Sequence, residues 1–120
     1  MNYKEFDEIT SDLPDDYEEI EYLDNYLFGR KKHQVEQLDT EFLASILDIS
    51  GSGVDRVFKK LVSKGYAKRR EFLYCQREEC CFREFDRKNE LLPVIEECDL
   101  CNEDHVFKES DVVIRYELLI

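Results

Sequence analysis

Cys75-Gln76-Arg77-Glu78-Glu79-Cys80-Cys81 and, farther on, Cys98-Asp99-Leu100-Cys101 hold all five cysteines of the chain. Two close cysteine pairs separated by a short span present four sulfurs to one tetrahedral ion: each pair forms a tight turn, and the span brings the second turn back to face the first. Thiolates suit Zn2+, which is borderline-soft and imposes no geometry of its own. The expected ligands are Cys75, Cys80, Cys98 and Cys101. Cys81 is the alternative to Cys80, which is preferred because Cys81 to Phe85 reads as a departing strand. His105 could replace one sulfur, although a surface histidine is the commoner reading. Such a metal would stand in for a core too small to form from apolar side chains, so binding would be coupled to folding. The alternative, two disulfides and a spare thiol, needs an oxidising compartment. Met1-Asn2-Tyr3-Lys4-Glu5 lacks the basic-then-apolar run of a secretory signal, and the expected location is cytoplasmic, or nuclear in a eukaryote.

Upstream of the cysteines the pattern is helical. Residues 1–14 are acidic and end at Leu13-Pro14, which reads as a loosely held N-terminal arm that Tyr3 and Phe6 could still anchor on the domain. Asp15 can cap a first helix with Glu18 reaching back, and Ile20, Leu23 and Leu27 give it one apolar face ended by Gly29. Asp39 or Thr40 caps a second, shorter helix whose buried side is expected to be Phe42, Leu43, Ile46 and Leu47. The turn Ile49-Ser50-Gly51-Ser52 leads to a third helix capped by Ser52, with Val54, Val57, Phe58, Leu61 and Val62 forming a continuous apolar stripe. Gly65 supplies its left-handed C-terminal residue. From Tyr66 to Tyr74 the period falls to about two, a strand that runs into Cys75. A second strand is expected over Phe82 to Phe85, and a third from Asp111, where Val112, Ile114, Tyr116, Leu118 and Ile120 share a face.

Three helices followed by a strand, with Leu61 and Gly65-Tyr66 at the join, resemble a winged helix-turn-helix. Its continuation into a cysteine-ligated ribbon is similar in architecture to the large subunit of the archaeal and eukaryotic general transcription factor E. The spacing differs: four residues separate Cys75 from Cys80, where that family usually has two. The fold class expected is α+β: an acidic arm (1–14), a winged helix-turn-helix of three helices plus a β-hairpin (15–74), and a small zinc-ribbon β subdomain with a C-terminal strand (75–120).

Charge is distributed unevenly. The net charge is −12. Residues 1–28 carry ten acidic residues and one basic, residues 29–74 ten basic and six acidic, and residues 75–120 six basic and thirteen acidic. The exposed side of the third helix would show Arg56, Lys59, Lys60, Ser63 and Lys64, continued by Lys68, Arg69 and Arg70. Lysines neutralise phosphate without reading bases, and only Arg56 could make a forked contact to guanine. The acidic flanks oppose DNA over a Debye length of about 8–10 Å. One way to reconcile the two signs is for residues 1–12 to fold over the basic helix and mask it.

No nucleophile–base pair or glycine-rich phosphate loop is present, and a four-sulfur zinc site leaves no open position for water, so no enzyme activity is expected. The function expected is a non-catalytic adaptor or regulatory module for protein–protein recognition within a larger assembly. The alternative is a sequence-tolerant DNA-binding regulator using helix 53–64 and the following hairpin. A protein partner is expected, DNA is the second choice, and no membrane or small-molecule substrate is implied. The apolar end Leu118-Leu119-Ile120 leaves open a homodimer through the C-terminal strand.

Overall fold

A computed structural model describes residues 1–76, 80–98 and 103–120, except the side chains of residues 80–82 and 98. It is of the expected α+β class. The described residues form four α-helices and two small antiparallel sheets. The chain divides into two compact units: Met1–Arg69 together with Tyr116–Ile120, and Arg70–Arg115.

The first unit contains α1 (Lys4–Thr10), α2 (Tyr17–Leu27), α3 (Thr40–Leu47) and α4 (Gly51–Ser63). The predicted apolar stripes form its core: Ile20, Leu23 and Leu27 of α2 and Val54, Val57, Phe58 and Leu61 of α4 are fully buried. Asp39 caps α3 by accepting hydrogen bonds from the amides of Glu41 and Phe42. α4 begins earlier than expected, because Ser50, not Ser52, accepts the capping bond from the Gly53 amide. Gly53 is where α4 approaches α2 closely: a Cβ there would lie 2.8 Å from Cγ of Glu19. Gly65, at φ +78°, ends the helical segment as expected.

Three expectations need correction. Residues 1–14 are not a loose arm. α1 buries Phe6 and Ile9 completely, an i, i+3 pair that the surrounding acids hide from a reading by composition. The carboxylate of buried Asp24 accepts the backbone amides of Asn2 (2.7 Å) and Tyr3 (2.8 Å), which ties the start of the chain to α2. In α3 only Leu43 of the expected face is fully buried and Leu47 is partly so, while Phe42 and Ile46 remain 55% and 44% exposed. An eight-residue helix presents too narrow a stripe to bury all four. Finally, residues 116–120 do not belong with the ribbon. Tyr116 and Leu118 complete the helical core; Tyr116 exchanges backbone hydrogen bonds with Leu38, and the Leu118 amide donates to Val35. The strand edge that a homodimer would need is therefore engaged by the chain itself at these residues.

The second unit is built on hairpins. β1 (Ala67–Cys75) pairs antiparallel with β2 (Cys80–Glu84), and β3 (Val94–Cys98) pairs antiparallel with β4 (Glu103–Phe107). β5 (Val112–Leu118) completes a sheet of order β2-β1-β5. Neither β3 nor β4 had a counterpart in the sequence reading. Among the described residues the apolar cluster of this unit is small: Leu73, Phe85 and Phe107, with Leu92, Val94 and Val112 packed around them. Ion pairs supplement it. Arg83 forks to both Glu90 and Glu96, and Arg87 bridges Glu71 and Glu109.

Candidate metal centre and the basic helix

Within the second unit, each hairpin ends in cysteine. Cys75, which is buried, stands directly opposite Cys80 where β1 and β2 part, and Cys98 stands opposite Glu103 where β3 and β4 part. Cys101 falls in the connection between β3 and β4. The side chains of Cys80 and Cys98, and all of Cys101, lie outside the described residues, as does the choice between Cys80 and Cys81. Among the described residues no cluster of three or more metal-ligating side chains occurs. Of the expected ligands, Cys75 and Cys80 are thus register partners at the end of one hairpin, and Cys98 is the last residue of β3 in the same unit. His105 stacks on Phe107 with ring centroids 4.2 Å apart, on the face of the β3–β4 hairpin that turns toward the small core.

The second candidate surface lies in the first unit, on α4. Arg56, Lys60 and Lys64 are spaced by four and fall on one stripe of that helix. Upstream, Glu8, Asp12 and Asp16 are also spaced by four, and the two rows meet in antiparallel order. Arg56 makes a two-pronged bond to Asp16, with Nε 2.9 Å from Oδ2 and Nη2 2.7 Å from Oδ1. Lys60 lies 3.8 Å from Asp12, and Lys64 lies 3.2 Å from Asp12 and 3.1 Å from Glu8. Asp16 is only 3% exposed, so its charge is satisfied chiefly by Arg56, whose hydrogen bond holds the carboxyl below the usual carboxylate range. The hydroxyl of Tyr66 and then Lys64 lower the pKa of Glu8, and hydrogen bonds to Glu8 and then Asp12 raise that of Lys64.

The remaining members of the predicted surface are less uniform. Ser63 donates to the Lys60 carbonyl of its own helix. Arg70 belongs to the second unit, where it pairs with Glu84 at 2.6 Å and lies over the Phe72 ring. Lys59, Lys68 and Arg69 are exposed, and Lys59 and Lys68 have no ion pair among the described residues. The sequence reading found the cations and offered residues 1–12 as a mask over them, but it assigned no residue pairs. The matching four-residue spacing of Glu8, Asp12 and Asp16 was the available signal for the pairs.

Comparison with known proteins identifies no relative: no protein family matches the chain, and no curated protein or solved structure matches it significantly.

Proposed function

We propose that this chain is a non-catalytic, zinc-stabilised winged-helix module that acts as an adaptor, recognising protein within a larger assembly. The observation that carries this reading is the ladder of Asp16, Asp12 and Glu8 against Arg56, Lys60 and Lys64. A helix that reads DNA needs its cations available to phosphate. Here three of them already face carboxylates of the same chain; Glu8 lies in α1, a helix anchored by Phe6 and Ile9, and Asp12 just after it. Exposing the cations means either detaching that helix or bringing phosphate beside three carboxylates. Zinc, when bound, would supply a structural cross-link through Cys75, Cys80, Cys98 and Cys101. The chain's own contribution is to place Cys75, Cys80 and Cys98 at strand ends in one unit.

A duplex-DNA titration across a salt series tests the reading. The wild-type chain is expected to bind weakly at low salt. Tight binding that falls steeply with salt, and is abolished by Lys59→Glu with Lys60→Glu, would establish the DNA-binding alternative instead. The metal part is tested by elemental analysis. One zinc per chain supports it, whereas metal-free protein that stays folded with chelator present removes it.

A further inference from the structure

We infer that Arg83 is a positioning residue of the metal centre: through Glu96 it sets the hairpin that carries Cys75 and Cys80 against the strand that carries Cys98. This rests on the zinc reading and says how the chain arranges its sulfurs. Four thiolates close on one ion at about 2.3 Å each, so the two cysteine pairs tolerate little error in their separation. Register fixes Cys75 against Cys80 within the β1–β2 hairpin, and Cys98 is held in β3 by its pairing with Glu103. What remains to be set is the distance between β2 and β3. These strands belong to different sheets, so no ladder of backbone hydrogen bonds sets it.

Arg83 of β2 spans that gap. Its Nε and Nη2 donate to the Glu96 carboxylate of β3 at 3.0 and 2.7 Å, and its Nη1 and Nη2 donate to Glu90 at 3.0 and 2.6 Å. A planar fork on a carboxylate fixes direction as well as distance, which the apolar cluster of Leu73, Phe85 and Phe107 does not. The side chains of Glu90, Arg83 and Glu96 are 27%, 30% and 37% exposed, so the contact matters more for its geometry than for stability. Its place along the strands ties it to the cysteines. Arg83 is the register partner of Leu73, and Cys75 follows Leu73 by two residues on β1. A bulge in β2 just past Arg83 puts Cys80, and not Cys81, opposite Cys75. On β3, Cys98 follows Glu96 by two residues. Strand positions two apart share a face, so the cysteine positions of both strands come one row, about 7 Å, past the Arg83–Glu96 contact. The unit's other arginine bridge, from Arg87 to Glu71 and Glu109, meets β1 four residues before Cys75.

The test compares two single variants of the full chain. Glu90→Ala and Glu96→Ala each take two hydrogen bonds from Arg83, but only the second cuts the link from β2 to β3. Glu90→Ala also frees the Asp86 amide, so a merely structural role would make it the more damaging of the two. Zinc affinity is read by competition with a chromogenic chelator, and the visible spectrum of the cobalt-substituted chain reports the geometry around the metal. Glu96→Ala is expected to weaken zinc binding by at least about tenfold and to alter the cobalt spectrum. Glu90→Ala should change affinity by less than about threefold and leave the spectrum as it is. Glu96→Gln keeps the size of the side chain and one acceptor and should fall between wild type and Glu96→Ala. It is the variant to read if the alanine protein does not fold with zinc. Equal losses in Glu90→Ala and Glu96→Ala, or wild-type affinity in either Glu96 variant, overturn the inference while the zinc reading stands. A wild-type chain that carries no zinc in the elemental analysis removes that reading, and this inference with it.

Discussion

Asp24 shows how one side chain decides whether the first residues are structure or tail. It is buried and accepts two backbone amides, from Asn2 and Tyr3, before α1 begins. Asp24→Ala leaves those donors without their acceptor and should cost about 1–3 kcal/mol, read by chemical denaturation together with faster amide exchange at the start of α1. Asp16 and Glu8 contribute to the acid response, as Glu90 and Glu96 do in the second unit. Their folded pKa values are lower than in the unfolded chain, so each contributes stability that is fully present above the ordinary carboxylate range. That contribution is lost as pH falls through the depressed values. The thermal midpoint should therefore drop on acidification below about pH 4, and Asp16→Asn should flatten part of that drop while lowering the midpoint at neutral pH. At this scale the sequence was only partly legible. Capping by Asp39 and the left-handed Gly65 are local chemistry, visible within a few residues, whereas Asp24 acts on amides far away in the chain.

Among the elements, α1 and α3 depart furthest from expectation, for opposite reasons. α1 is acidic by count yet carries two core side chains, so Phe6→Ala should cost about 3–5 kcal/mol in an unfolding titration, where a solvated arm would lose nothing. α3 is apolar by count yet buries one residue fully. Leu43→Ala should cost about 2–5 kcal/mol and Phe42→Ala about 0.5 kcal/mol or less, and the difference between the two variants reads which side faces the core. Helical periodicity located α2 and α4 because their stripes are long; over eight residues the same pattern cannot tell a core face from an uncovered one. The α4 ladder gives a third element-level prediction. Glu8→Gln with Asp12→Asn frees Lys60 and Lys64 without touching Phe6 or Ile9, and should raise duplex-DNA affinity at low salt and steepen its salt dependence by up to about two phosphate contacts. Deleting residues 1–12 would not be a clean version of this experiment, since it also removes the core residues of α1.

At the level of the whole molecule, the two units differ in what holds them. The first has a continuous core drawn from all four helices and from Tyr116 and Leu118, while the second relies on Leu73, Phe85 and Phe107 with arginine–carboxylate pairs. A β unit of this size with so small an apolar cluster among its described residues is of the kind that ordinarily needs a cross-link. Chelator should accordingly collapse the spectral dispersion of Leu73, Phe85 and Phe107 while signals from Ile20, Leu23 and Phe58 persist, with residue-resolved NMR as the readout. The cysteine spacing that raises the expectation of such a link was legible. The return of the chain to the helical unit was not, because alternation along residues 111–120 marks a strand without saying which neighbour it joins. That return also sets an order of events at the ribosome. Tyr116 and Leu118 are synthesised only after every residue of the second unit, so the helical core must wait for them through the making of an entire other unit. A nascent chain arrested before residue 116 would leave Phe58 without its ring partner Tyr116, at 5.1 Å between centroids, and would keep that apolar surface open to chaperones for the interval.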